Sequence, residues 1–74
     1  MATQILDTLG MSSPELILKI AIRSPDMKSG DILRVLGDCP TFERDVRTWC
    51  KRLGKMHLST KDLGLNKKQV QIRF

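Results

Sequence analysis

The sequence predicts an α/β two-layer sandwich in which a four-stranded mixed sheet carries two helices on one face, in the order βαβαββ. Two observations lead to this prediction. Short strand-like segments alternate with two segments of helical period, and the last two strand-like segments are separated by a short run of turn residues. A chain of 74 residues has room for one core, so we assign residues 1–74 to a single domain.

The first βα unit is predicted from residues 3–24. The segment TQILDTL, residues 3–9, alternates imperfectly between apolar and polar side chains and ends at Gly10, which is typical of a strand. Pro14 suits the first position of a helix, and Ser12 or Ser13 can serve as its N-cap. Apolar residues then recur at helical spacing: Leu16, Ile17, Ile20 and Ala21. Pro25 ends this helix near residue 23 or 24.

The second βα unit is predicted from residues 31–54. The segment DILRVLG, residues 31–37, is apolar around a single arginine, which indicates a buried strand. Residues 38–54 then predict a helix that stops at Gly54. One face of this helix carries Phe42, Val46, Trp49, Cys50 and Leu53. If the first two strands are parallel neighbours, both helices begin at the same edge of the sheet.

The last two strands are predicted to form a hairpin. Residues 55–61 and 68–74 both alternate between apolar and polar side chains, and residues 62–67 between them include turn-forming types.

The net charge of +5 is concentrated at one end of the chain, because residues 51–74 sum to +6 and residues 1–50 to −1. Such a segment attracts a polyanion or an acidic protein, or it is simply a solvated face. The alternative function is therefore a small basic RNA-binding or nucleic-acid-binding module, or a regulatory interaction module. Against base binding, the chain has three aromatic residues, whose positions suggest core packing: Phe42, Trp49 and Phe74.

Several classes of protein are disfavoured. No apolar run approaches the roughly 20 residues of a membrane span, and the N-terminus lacks the pattern of a secretory signal. We therefore expect a cytosolic protein with no membrane partner and with reduced thiols. One histidine, His57, and no Cys-x-x-Cys argue against a zinc site, and no cofactor is expected. No Ser-His-Asp arrangement supports hydrolase chemistry.

Two helix starts are candidate functional sites. Ser13-Pro14 begins one predicted helix and Cys39-Pro40 begins the other. Unpaired N–H groups at a helix start stabilise an anion, so a cysteine there can become a thiolate nucleophile. A serine needs a neighbouring base for the same chemistry, and no base for Ser13 is visible in the sequence.

The segment Gly-Met-Ser-Ser-Pro-Glu-Leu, residues 10–16, resembles the Gly-Leu-x-Cys-Pro-x-Pro motif of the TusA/SirA sulfur-carrier family. The segments LDTLG, MKSGDILRVL and FERDVRTWCKRLGK resemble the first strand, second strand region and second helix of that family, with ungapped spacing. The resemblance covers nearly the whole chain and implies the same βαβαββ fold. It assigns motif or structural roles to Gly10, Pro14, Glu15, Pro40 and Asp45.

The decisive position of the motif differs. Members of this family hold sulfur as a persulfide on the motif cysteine and relay it from a cysteine desulfurase toward tRNA thiolation, cofactor synthesis or sulfur oxidation. That position is Ser13 here, and a hydroxyl cannot hold a persulfide. Leu16 also replaces the second proline of the motif. Three explanations are open: an engineered change, a natural non-carrier paralogue that acts by protein docking, or a relocated thiol.

Cys39 is the candidate for a relocated thiol. The crossover geometry predicts it beside Ser13, although Asp38 would oppose a thiolate there, and an ordinary half-buried cysteine is the preferred interpretation. Cys50 is expected in the core. The partner that the resemblance implies is a cysteine desulfurase or another sulfur-relay protein. The basic C-terminal segment suggests, in addition, a contact with tRNA.

Overall fold

The computed structural model describes residues 2–74 and has the predicted order of elements, βαβαββ. Its strands and helices are β1 (Thr3–Asp7), α1 (Ser13–Arg23), β2 (Ile32–Gly37), α2 (Phe42–Leu53), β3 (Met56–Gly64) and β4 (Lys67–Arg73). A single 3₁₀ turn, Ser24–Asp26, ends α1, as Pro25 predicts.

The four strands form one mixed sheet in the order β1-β2-β4-β3. The strands β1 and β2 are parallel neighbours, whereas β4 runs antiparallel to both β2 and β3. Register places Leu6, Val35 and Val70 in one row, and Leu33 beside Ile72 in another. These side chains share one sheet face and pack in a single core with the buried residues of both helices: Leu16, Ile20, Phe42, Val46, Trp49 and Cys50. The predicted two-layer sandwich is therefore confirmed.

In β1 and α2, two boundaries and the burial of one residue differ from the sequence prediction. The strand β1 ends at Asp7, because Thr8 turns inward and donates both its backbone N–H and its hydroxyl to the Leu36 carbonyl. The helix α2 begins at Phe42, so Cys39-Pro40 lies before it rather than in its first turn. Leu53 is 53% exposed and is not part of the core, because it ends α2 where the chain turns away toward β3.

A close approach between Gly37 and Phe42 fixes the start of α2 against the sheet. A Cβ atom at Gly37 would overlap the Phe42 ring. Only a residue without a side chain allows the ring to lie directly on β2. At the other end of the helix, Gly54 adopts a left-handed conformation with φ of 70°, and its N–H bonds the Cys50 carbonyl.

The strand β3 carries two shifts of register, one between His57 and Ser59 and one between Asp62 and Gly64. Residues 57 and 60 would point to opposite faces of a regular strand. The first shift places His57 opposite Ile72 and Thr60 opposite Val70, so both side chains lie on the helix-covered face. The hairpin turn is shorter than predicted, since the strands reach Gly64 and Lys67.

Candidate functional site

The two helix starts meet at a hydrogen-bonded cluster centred on Asp45. Ser13, the first residue of α1, donates its hydroxyl to Asp45 Oδ2 over 2.5 Å. Thr41, just before α2, donates to the same oxygen over 2.6 Å. The predicted convergence of both helix starts at one edge of the sheet is therefore observed, and a carboxylate from α2 joins them.

The two hydroxyl donors lower the pKa of Asp45, with Ser13 as the larger cause. The carboxylate therefore stays ionised at neutral pH and is a weak proton acceptor. The sequence shows no base for Ser13 because Asp45 lies 32 positions away and meets it only in the folded chain. The site supplies an oriented hydroxyl and a fixed negative charge, and it does not supply an activated nucleophile.

A groove of about 290 Å³ opens between α1 and α2 beside this cluster. Its polar end contains Ser13, Asp45 and Thr48, and its other walls are Ile17, Trp49, Leu53 and Arg52. The groove is mostly apolar and open to solvent, with an exposed guanidinium at its rim. This groove was not predicted from the sequence. The structural feature that marks it is Leu53, which is exposed although the rest of its helix face is buried.

Cys39 does not lie in this groove. Its half-buried thiol is 3.5 Å from Thr41 Oγ1 and is linked to Ser13 only through Thr41 and Asp45. The thiol lies in a separate depression of about 300 Å³, lined also by Asp38, Pro40, Asn66 and Lys68.

The carboxylate of Asp38 has a structural role at this edge. Its Oδ1 accepts the backbone N–H of Gly10 over 2.9 Å and so ties together the loops that precede the two helices. Gly10 has φ of 79°, a conformation that favours glycine.

Cys50 is buried in the core, as predicted, and burial raises the pKa of its thiol to about 11. A thiol that stays protonated at neutral pH and is screened from solvent is a poor nucleophile.

The remaining predicted positions shape the first turns. Pro14 follows Ser13 at the start of α1, and the hydroxyl of Ser12 donates to Glu15 over 3.0 Å. Pro40 lines the depression around Cys39. Within residues 2–74, no group of three or more histidine, cysteine or acidic side chains is arranged to hold a metal ion, and no helix has the length and apolar character to cross a bilayer.

The fold and this edge define a small α/β two-layer domain whose polar side chains gather where its two helices begin. A family model described as "Sulfurtransferase TusA" matches residues 4–73. The chain belongs to the TusA family.

Two curated relatives are named as sulfur carriers. The "Putative sulfur carrier protein YrkF" of Bacillus subtilis (strain 168) is 32% identical over 63 residues, which cover 85% of this chain and 34% of the relative. A similarly named protein of Aquifex aeolicus (strain VF5) is 34% identical over 53 residues, covering 72% of this chain and 27% of the relative. The chain spans about a third or less of the length of these relatives.

Proposed function

We propose that this chain is a TusA-family domain that takes part in sulfur relay by docking to a cysteine desulfurase or another sulfur-relay protein, without holding a persulfide at position 13. The observation that carries the proposal is the Ser13 hydroxyl, which donates to Asp45 at the helix start. The resemblance places the motif cysteine of the family at this position.

The chemistry of persulfide transfer explains the loss of carrier activity. An acceptor thiolate attacks the outer sulfur of the donor persulfide, a new S–S bond forms, and the donor thiolate leaves. The acceptor becomes the persulfide in the same step. An alcohol oxygen cannot become a persulfide, and the low pKa of Asp45 makes it a poor base for the Ser13 proton.

The groove between the helices supports docking. Ile17, Trp49 and Leu53 give it apolar walls next to the position where sulfur transfer would occur, and Arg52 adds a positive charge at the rim. An apolar centre with a charged rim is the usual arrangement of a protein interface. The partner we propose inserts an apolar side chain and places a carboxylate near Arg52.

A relocated carrier site at Cys39 is the second candidate. The half-buried thiol in a depression with Lys68 favours it, since a cation stabilises a thiolate. The position of Asp38 in the same depression opposes it. Cys50 is excluded by its burial and by its raised pKa.

Mass spectrometry distinguishes these candidates. We would expose the chain, a Ser13→Cys variant and a Ser12→Cys control to a cysteine desulfurase with cysteine, and then measure intact and peptide masses. One added sulfur, about 32 Da, is expected on Ser13→Cys alone. Sulfur on Cys39 of the unchanged chain would establish the relocated site instead. If neither the Ser13→Cys variant nor Cys39 of the unchanged chain gains sulfur, position 13 is not a carrier site even when a cysteine is placed there.

Binding of the unchanged chain to the same desulfurase tests docking. Replacing Leu53 by Glu in the groove is expected to abolish the complex, because it puts a charge into the apolar contact. The matched control is Ile22→Glu, since Ile22 is exposed on α1 and does not line the groove. Equal binding by both variants would contradict docking at the groove.

A tRNA contact and a cytosolic location are finer parts of this proposal. The basic side chains of residues 51–74 are dispersed in the fold: Lys51 lies in the last turn of α2, Lys55 follows that helix, Lys61 and Lys67 lie on the hairpin, and Arg73 ends β4. A tRNA contact predicts an affinity that falls steeply with salt, and fluorescence anisotropy with labelled tRNA would measure it.

A further inference from the structure

We infer that the groove between α2 and the edge strand β3 binds a phosphate-like tetrahedral oxyanion between Arg47, Lys51, Lys55 and His57. This groove has a volume of about 320 Å³ and is also lined by Thr48 and Cys50. It lies on the β3 side of α2, whereas the Ser13 groove lies on the α1 side, and Thr48 borders both. The inference does not depend on the proposed role in sulfur relay.

The charge of the groove is one-sided. Arg47, Lys51, Lys55 and His57 line it, and no acidic side chain does. Among residues 2–74 the one ion pair within 4.0 Å joins Arg44 to Asp45, so the three groove cations have no carboxylate partner within that distance.

Two of the groove cations lie on one face of α2, and a third is held beside them. Arg47 and Lys51 are four residues apart on α2, where like charges repel each other along one helix face. Lys55 is held nearby, with its Nζ 5.2 Å from the centroid of the Phe74 ring. An anion in the groove would relieve this repulsion and would bind all three groups with charge-assisted hydrogen bonds.

A hydrogen bond to Thr60 fixes the side chain of His57 in the wall of the groove. The shift of register in β3 turns His57 and Thr60 to the same face, where His57 Nε2 lies 2.7 Å from Thr60 Oγ1. The Thr60 hydroxyl also lowers the pKa of Glu43, since it donates to that carboxylate. Glu43 is therefore engaged by Thr60 and lies outside the groove lining, although the charges of Arg47 and His57 also lower its pKa.

The groove is open along its length, so the bound oxyanion can be a free ion or one phosphate of a nucleic-acid strand. Both sources present the same tetrahedral, negatively charged oxygens. Thr48 adds a hydroxyl to the lining, although its hydrogen is donated to the Arg44 carbonyl. The Thr48 oxygen is the donor atom of that bond and has no hydrogen left for an anion, so the cations supply the attraction.

The test is an NMR titration of the full chain with inorganic phosphate at constant ionic strength. The test variant is Arg47→Gln/Lys51→Gln, and the matched control is Lys61→Gln/Lys67→Gln, which removes the same charge from exposed hairpin positions. We expect saturable shifts at His57 and Lys51 in the unchanged chain. Arg47→Gln/Lys51→Gln should bind phosphate about tenfold more weakly than the unchanged chain does, whereas the phosphate affinity of the control should change by less than about twofold.

A second arm adds a short single-stranded RNA under the same conditions. Competition between RNA and phosphate for the groove signals would identify a nucleic-acid phosphate as a source, and phosphate shifts without RNA binding would identify a free oxyanion. Either result supports the site. Equal weakening in both variants, or no saturable shift at about 50 mM phosphate, would overturn it.

Discussion

At the scale of single residues, Asp45 links side chains that are far apart in the sequence. One oxygen of its carboxylate accepts hydrogen bonds from the hydroxyls of Ser13 and Thr41, and these two residues lie at the starts of different helices. The resemblance marked Asp45 as a matching position, but neither spacing nor periodicity shows which side chains it would meet. Its role as the partner of Ser13 could be seen only after the sheet had brought both helix starts to one edge.

Removing the Ser13 hydroxyl is expected to raise the pKa of Asp45, because that hydrogen bond is the largest cause of its lowering. In the unchanged chain the low folded-state pKa adds stability above the unfolded value of about 3.9, which is lost as pH falls through the folded pKa. Ser13→Ala should therefore reduce the stability that the Asp45 carboxylate contributes, and the pH range over which that stability is lost should become narrower. Carboxyl NMR titration measures the pKa, and Ser12→Ala is the control because Ser12 bonds Glu15. An unchanged Asp45 pKa in Ser13→Ala would contradict the assignment.

The two cysteines should differ sharply in reactivity toward an aromatic disulfide reagent at pH 8. Cys39 is half-buried and accessible, whereas Cys50 is buried with its pKa raised to about 11. One thiol is expected to react quickly in the folded chain and the second only after unfolding. In Cys39→Ser the fast phase should disappear. A fast phase that survives in this variant would show that Cys50 is exposed.

At the scale of elements, the position of α2 depends on the contact between Phe42 and Gly37. Gly37→Ala would force the ring or the strand to move, and overpacking of this kind costs about 1–3 kcal/mol. Chemical denaturation measures the loss in the free energy of unfolding. The double variant with Phe42→Leu should lose less than the sum of the two single changes, since the smaller side chain makes room for the methyl group. Strict additivity would show that the two positions do not touch.

The pattern of apolar residues was sufficient to predict every strand and helix in order, because burial on one face imposes a period on each segment. The alternation of Val70 and Ile72 with glutamines specified β4 clearly. Irregular features escaped prediction. The shift of register beside His57 leaves no periodic signal, and the exposure of Leu53 depends on where α2 ends relative to the sheet.

At the scale of the whole molecule, positive charge exceeds negative charge, with 13 lysines and arginines against 8 aspartates and glutamates. The excess positive side chains repel one another, and a net charge summed over the sequence does not show where in the fold they meet. The groove beside β3 could not be foreseen from the chain, since Arg47 lies outside the basic C-terminal segment and joins Lys51, Lys55 and His57 only through folding.

This repulsion should make stability depend on salt. Raising NaCl from about 20 to 200 mM shortens the range of electrostatic repulsion, and the melting temperature is expected to rise by a few degrees. Arg47→Gln/Lys51→Gln should be more stable than the unchanged chain at low salt, and its melting temperature should depend less on salt. Thermal unfolding followed by circular dichroism measures both effects. A variant that is less stable at low salt would show that these cations stabilise the fold.

The two edge strands of the sheet differ in how well they can pair with a strand from a second copy of the chain. The outer edge of β3 is broken by two shifts of register, which misalign its hydrogen-bonding groups for an incoming strand. The opposite edge, β1, spans five residues without such a break. Fibre growth by strand addition requires two receptive edges on every molecule. A chain with one receptive edge can pair with a second copy, but its assembly then terminates.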